Sequence, residues 1–152
     1  MKYFLGIDNG GTLIKACVFD EQGNLKGKGK SNVNLITPFP KAAERNPDEI
    51  FNANIDAINN AIKNASIKGE DITAIGLSGH GKGLYMLDKN GKSFTNSLLS
   101  SDARATQITQ SWKADGTEDK IFDISLNRIV AGQPLPLLKW FKTNDRQTYD
   151  KT

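Results

Sequence analysis

A strand, a glycine turn and a second strand open this 152-residue chain, and that order decides much of what can follow. Tyr3-Phe4-Leu5-Gly6-Ile7 is a short apolar run, Asp8-Asn9-Gly10-Gly11 is turn chemistry, and Leu13, Ala16, Val18 and Phe19 lie in a second β-prone stretch. The glycines therefore join two strands. A Walker-type phosphate loop, which joins a strand to a helix, is excluded here. Asp20-Glu21-Gln22-Gly23-Asn24 marks the next turn, and Leu25 to Asn34 alternates weakly, with Lys26, Lys28 and Lys30 on one face of an extended strand. Such a lysine stripe suits phosphate binding or, more simply, a solvated sheet edge protected from pairing with other chains.

Pro38 and Pro40 mark a connecting loop over residues 35 to 46. A helix then starts with Asn46 as its cap, Pro47 in the first position, and Asp48 and Glu49 at its positive end. Phe51, Ile55, Ile58, Ile62 and Ala65 recur at helical spacing and predict the apolar stripe that covers the sheet. Asp71 to Ser78 reads as a strand ending in Gly79-His80-Gly81-Lys82-Gly83, and Leu84 to Leu87 as another, followed by an Asn90-Gly91 turn. Helices are expected from Ser101-Asp102 to about Gly116, from Thr117 to Phe122, and from Pro134 onward. Strands, helix, strands, helices make an α/β class with a mixed sheet.

Composition narrows the function classes. Hydrophobic residues make up 38% and charged residues 24%, an ordinary globular profile, and no apolar run approaches the ~20 residues of a membrane helix. A net charge of +3 is too mild to predict nucleic-acid or membrane binding. Cys17 is the only cysteine, so no internal disulfide can form; a reducing, cytoplasmic location is the default expectation, with Cys17 a buried small residue.

Three segments could carry chemistry. In Gly6-Ile7-Asp8-Asn9-Gly10-Gly11-Thr12, followed by Lys15, a strand delivers a carboxylate to a glycine turn. The backbone N–H groups of such a turn can approach an anion, Thr12 can add a hydroxyl, and an aspartate beside phosphates commonly serves Mg²⁺. An ordinary hairpin turn would use the same residues. In Ser78 to Gly83 three glycines alternate with His80 and Lys82 at a strand end, where open α/β sheets place ligands; a solvated glycine turn is the plain alternative. In Ser100-Ser101-Asp102-Ala103-Arg104, Asp102 and Arg104 could hold substrate hydroxyls, or Ser101 or Asp102 could cap a helix. The chain has no His/Cys cluster for a metal.

Taken together these segments resemble the FGGY carbohydrate kinases, of the ribonuclease-H-like actin/hexokinase/Hsp70 superfamily. Leu5 to Lys15 is similar to the family's first phosphate motif, and Ile75 to Asp88 to its substrate strand and hairpin. Leu98 to Arg104 resembles its "I-L-W-x-D-x-R" block, and Pro136 to Lys142 its "K-L-x-W-L-K" helix. Xylulokinases usually carry Gln-Met-His-Gly at His80-Gly81-Lys82-Gly83, and Ser100 stands where tryptophan is common. The Gly-Lys-Gly-Leu and Ser-Ser-Asp-x-Arg pattern is similar to the L-xylulose kinase branch. The resemblance implies phosphoryl transfer from MgATP to a ketopentose-like, small-molecule sugar. It puts Asp8 at the metal, Gly10, Gly11, Thr12 and Lys15 at the ATP phosphates, and His80, Gly81, Lys82, Asp102 and Arg104 at or near the sugar. It implies further that residues 1–152 are the N-terminal part of the family's first domain. The general base and the second, adenosine-binding domain would then lie outside them, leaving the piece inactive alone and prone to self-association or homodimer formation. A non-catalytic ribonuclease-H-like binding module and a hexose, glycerol or acid kinase are the alternative readings.

Overall fold

A computed structural model describes residues 2–152. In chain order the elements are β1 (Tyr3–Asn9), β2 (Leu13–Asp20), β3 (Leu25–Asn32), β4 (Glu44–Arg45), α1 (Pro47–Asn64), β5 (Ile72–Gly79), β6 (Ser97–Leu98), α2 (Thr106–Ala114), α3 (Thr117–Ser125), α4 (Pro134–Asn144) and α5 (Arg146–Lys151). The chain divides into two compact units, Met1–Asn34 with Asp48–His80, and Leu35–Pro47 with Gly81–Thr152.

The first unit is a four-stranded mixed sheet in the order β3-β2-β1-β5, with α1 on one face. β1 and β2 are antiparallel, β2 and β3 are antiparallel, and β1 and β5 are parallel. Alternation along the strands sends Leu5, Ile7, Ile14, Ala16 and Val18 into the core beneath α1. Between β2 and β3, the Asp20 carboxylate closes the turn, accepting from the N–H groups of Gln22 (3.0 Å) and Asn24 (2.8 Å) and from the Asn24 amide (3.0 Å). Those bonds, the Asn24 side chain first, hold its pKa below the ordinary carboxylate value.

The helix sits on the sheet differently from the stripe read in the sequence. Its buried face is Ile50, Ala53, Ala57 and Ala61, while Phe51 is 66% and Ile55 42% exposed. The cause lies in β3. Its inward residues are Gly27 and Gly29, between the exposed Lys26, Lys28 and Lys30. A Cβ on Gly29 would fall 2.0 Å from the Ala57 carbonyl oxygen, and one on Gly27 2.4 Å from that of Ala61. Helix backbone rests directly on strand backbone, so alanines fill that contact; Phe51 and Ile55 turn outward, while Ile58, Ile62 and Ala65 of the expected stripe pack, partly buried, against the core. Cys17 faces away from α1 and is half-buried, not buried as expected.

The second unit packs α4 and α2 over short antiparallel pairings. Its core is Leu84, Met86, Leu98, Ala105, Leu137 and Phe141. β4 pairs with β6, and Leu84 bridges Leu98. Leu84 to Leu87 forms isolated bridges here, not the full strand expected, and Gly91 (φ 74°) makes the anticipated turn back to Ser93. α2 starts at Thr106, later than the sequence suggests, because the Asp102 carboxylate is engaged elsewhere and does not cap it.

Candidate functional site

The β1–β2 turn gathers the five residues assigned to phosphates. Asp8 and Lys15 are register partners across the hairpin, and Lys15 Nζ lies 3.4 Å from Asp8 Oδ2, both about half-exposed. Three residues, Gly10 to Thr12, connect the strands. A Cβ on Gly10 would press to 2.9 Å from the Leu13 carbonyl oxygen, whereas one on Gly11 would meet nothing within 4 Å. Gly10 therefore serves the tightness of the turn, and Gly11 leaves open space above its backbone.

Parallel pairing carries β5 alongside: Asp8 is opposite Ser78 and Asn9 opposite Gly79. Both strands thus end together, with the glycine turn following one and half-buried His80 the other. Ligands of open α/β sheets collect at such carboxyl ends. On the sheet face away from α1, Gly6 pairs with Gly76, and these bare positions floor a shallow depression of about 470 Å³ lined also by Asp8, Lys15, Cys17 and Ser78.

Among the described residues no group of three or more His, Cys, Asp or Glu could cage a metal. Mg²⁺ is usually held by one or two carboxylates, with phosphate and water oxygens completing its shell. A half-exposed carboxylate beside an open glycine turn suits that mode, so Asp8 fits the ion as a nucleotide-shared ligand.

Gly81 and Lys82 are exposed, at the start of the second unit's longer segment; Gly83 (φ 95°) follows, donating its N–H to the Gly132 carbonyl at 2.8 Å. Asp102 and Arg104 lie together and deep. Asp102 Oδ1 accepts from the Arg104 backbone N–H (3.0 Å) and Nε (2.9 Å), and Oδ2 from Arg104 Nη2 (2.9 Å) and the Ala43 N–H (2.8 Å). Arg104 Nη2 also donates to Glu44 Oε1. The guanidinium lies 5.0 Å from the ring centres of Phe39 and Trp140 and 5.6 Å from that of Phe141. Its side chain is 3% exposed. Burial opposes its charge, but the bonds to Asp102 and Glu44 outweigh burial and hold its pKa above the ordinary value. In this arrangement the pair joins residues 41–45 to the 97–104 segment, and both Asp102 oxygens are already taken. Glu44, 60 residues from Arg104, was not legible as its partner from spacing.

The chain matches the model of the FGGY family of carbohydrate kinases, N-terminal domain, over residues 3–152. The chain belongs to that family. It is 40% identical over 151 residues to a probable L-xylulose kinase of Haemophilus influenzae, covering 99% of this chain and 31% of that protein. It is 35% identical over 148 residues to the L-xylulose/3-keto-L-gulonate kinase of Escherichia coli, covering 97% and 30%. A xylulose kinase structure from Lactobacillus acidophilus superposes with a TM-score of 0.93 at 26% identity, over 100% of this chain and 30% of that one. The FGGY chain described here thus spans just under a third of the length of these relatives. No helix among its described residues is long and apolar enough to cross a membrane.

Proposed function

We propose that this FGGY chain supplies the phosphate turn and part of the sugar site of a cytoplasmic, ATP-dependent kinase acting on a ketopentose or related open-chain sugar. The parallel register that ends β1 at Asn9 and β5 at Gly79 carries the reading, since one sheet edge then offers both a phosphate turn and a second ligand loop. The similarity to kinases of L-xylulose favours a ketopentose.

Phosphoryl transfer asks a protein mainly for positioning and charge stabilisation. The N–H groups of Gly10 and Gly11 and the Thr12 hydroxyl would hold phosphate oxygens. Lys15 would add positive charge while restraining Asp8, and Asp8 would hold the metal. Magnesium, bound with the nucleotide, supplies neutralisation of the transferring phosphoryl group. His80, Gly81 and Lys82 would orient the sugar, and Asp102 and Arg104 would act as positioning residues. The proton-accepting aspartate and the adenosine site belong, in this reading, to the larger share of the relatives that this chain does not span.

Sugar-dependent ADP release from a chain extended to the relatives' full length, with L-xylulose among a panel of ketoses, tests the proposal. Turnover that falls at least 100-fold in Asp8→Asn supports it. Absence of release with every sugar, or an unchanged Asp8→Asn rate, overturns it.

A further inference from the structure

The sheet face away from α1 carries an unbalanced charge. Register places Asp8, Lys15 and Lys30 in one row across β1, β2 and β3, and Gly6, Cys17 and Lys28 in the next. Lys15 leans to Asp8 at 3.4 Å. Lys28 and Lys30 are exposed, and neither joins an ion pair among the described residues. A charged sheet edge explains lysines on β3, the outermost strand. It gives no reason for Lys15, on the inner strand β2, to stand directly opposite Lys30, where like charges repel. The face therefore holds more positive charge than the fold uses.

A cavity of about 490 Å³ opens among these lysines. Lys15, Cys17, Lys28 and Lys30 line it, joined round the free edge of β3 by Asn60 and Asn64 of α1. Asn64 is fixed there by its amide N–H, which donates to the Lys28 carbonyl at 2.9 Å. No carboxylate is among the lining residues. Strand geometry roots the cations about 5 Å apart between strands and about 7 Å apart along β3. From those roots, flexible four-carbon stems let three ammonium groups converge on one cluster of oxygens.

We propose that this cavity binds a compact oligophosphate, a pyrophosphate group free or esterified, through Lys15, Lys28 and Lys30. A planar carboxylate is matched best by the fork of an arginine, whereas ammonium groups act as point charges and suit phosphate oxygens, which share no plane. One phosphate dianion is balanced by two cations; three converging cations call for the charge of two linked phosphates. The closed volume at a strand edge favours a small ligand over a polymer. The site goes beyond the kinase reading and does not depend on it, since Lys15 is the only residue the two have in common.

The test titrates the 152-residue chain with sodium pyrophosphate by isothermal calorimetry, against orthophosphate, sodium chloride and a single-stranded oligonucleotide at matched ionic strength. Alkylation by iodoacetamide, a neutral reagent, is followed in the same mixtures. Cys17 is the chain's only cysteine and the register partner of Lys28, so the alkylation rate reports on this face alone. The expected result is saturable pyrophosphate binding, at least tenfold tighter than orthophosphate, with alkylation slowed at least threefold at saturation and unchanged by chloride. Lys28→Gln and Lys30→Gln, at exposed positions, should each weaken pyrophosphate at least fivefold and leave the thermal melt unchanged. Absence of binding, equal affinity for orthophosphate, affinity unmoved by both substitutions, or alkylation indifferent to bound pyrophosphate overturns the site. Tighter binding of the oligonucleotide, counted per phosphate, overturns it too, as the mark of an extended polyanion surface. Should Cys17 prove unreactive, the calorimetry of the three chains decides by itself. Binding is read without turnover, so failure here leaves the ADP-release test untouched, and failure there leaves this one standing.

Discussion

Replacing Arg104 by methionine tests whether the Asp102–Arg104–Glu44 cluster acts as a structural clamp. The substitution keeps length and apolar stem but removes the cation from a site where the arginine is 3% exposed and the carboxylates of Asp102 and Glu44 are 0% and 13% exposed. Asp102 would keep only the Ala43 and Arg104 backbone donors. Breaking one partner out of a buried pair costs about 3–5 kcal/mol. Loss of cation–π attraction to Phe39, Trp140 and Phe141 adds about 1 kcal/mol, much of it recovered by methionine–aromatic packing. With a urea dependence of about 2 kcal/mol per molar, a loss near 4 kcal/mol lowers the unfolding midpoint by about 2 M. Circular dichroism during urea titration measures it. The triple variant Glu44→Gln, Asp102→Asn, Arg104→Met removes all the charges and should regain at least half of the loss, as buried ionic clusters replaced whole are often neutral. A midpoint shift below about 0.5 M in Arg104→Met would refute the reasoning, because a clamp so weak leaves Arg104 free to serve a ligand directly.

Other perturbations have separate readouts. Gly29→Ala should cost about 2 kcal/mol or more in urea unfolding, since its Cβ would strike the Ala57 carbonyl, whereas Gly11→Ala, with open space above it, should leave stability nearly unchanged. Leu77→Lys places a charge on the exposed outer strand β5, where Leu77 is 74% exposed, and should reduce concentration-dependent association of the 152-residue chain in sedimentation velocity. Asp20 has a lowered pKa, so its contribution is present above its unfolded value of about 3.9 and fades as pH falls through the folded value. Asp20→Asn should therefore flatten the acid limb of the stability profile below about pH 4 and leave its shape at neutral pH unaltered, as read by thermal melts across pH.

Local chemistry was legible wherever the sequence acts over short range. The β1–β2 turn, the Asn46-Pro47 helix start, the Asn90-Gly91 turn and the strand at β5 all follow from residue types within a few positions of one another. The proposed phosphate turn is local in the same way, so Asp8, Gly10, Gly11, Thr12 and Lys15 share one hairpin. What stayed hidden was set by distant partners. The face α1 buries depends on two glycines some 30 residues upstream, and periodicity alone favoured its larger apolar residues. β4 has two residues and exists because Leu98 lies beside it. The partners of Arg104 were equally hidden: Glu44 lies 60 positions away and the rings of Phe39, Trp140 and Phe141 come from two other segments.

The seat of α1 on β3 acts as a datum surface. With no side chains on the buried face of Gly27 and Gly29, there is nothing to compress, and the height of the helix above the sheet is fixed by contact between main chains. The Asn64 amide also locks to the Lys28 carbonyl at 2.9 Å, which fixes the helix along its axis. From that end, seven residues carry the chain to Ile72, where β5 begins. The offset of β5 against β1, and with it the alignment of Gly79 with Asn9, is therefore referenced to two glycines about 50 residues earlier. Errors at that seat would pass down the helix as misalignment of the edge where β1 and β5 end, so residues remote from that edge set the tolerance of the candidate site.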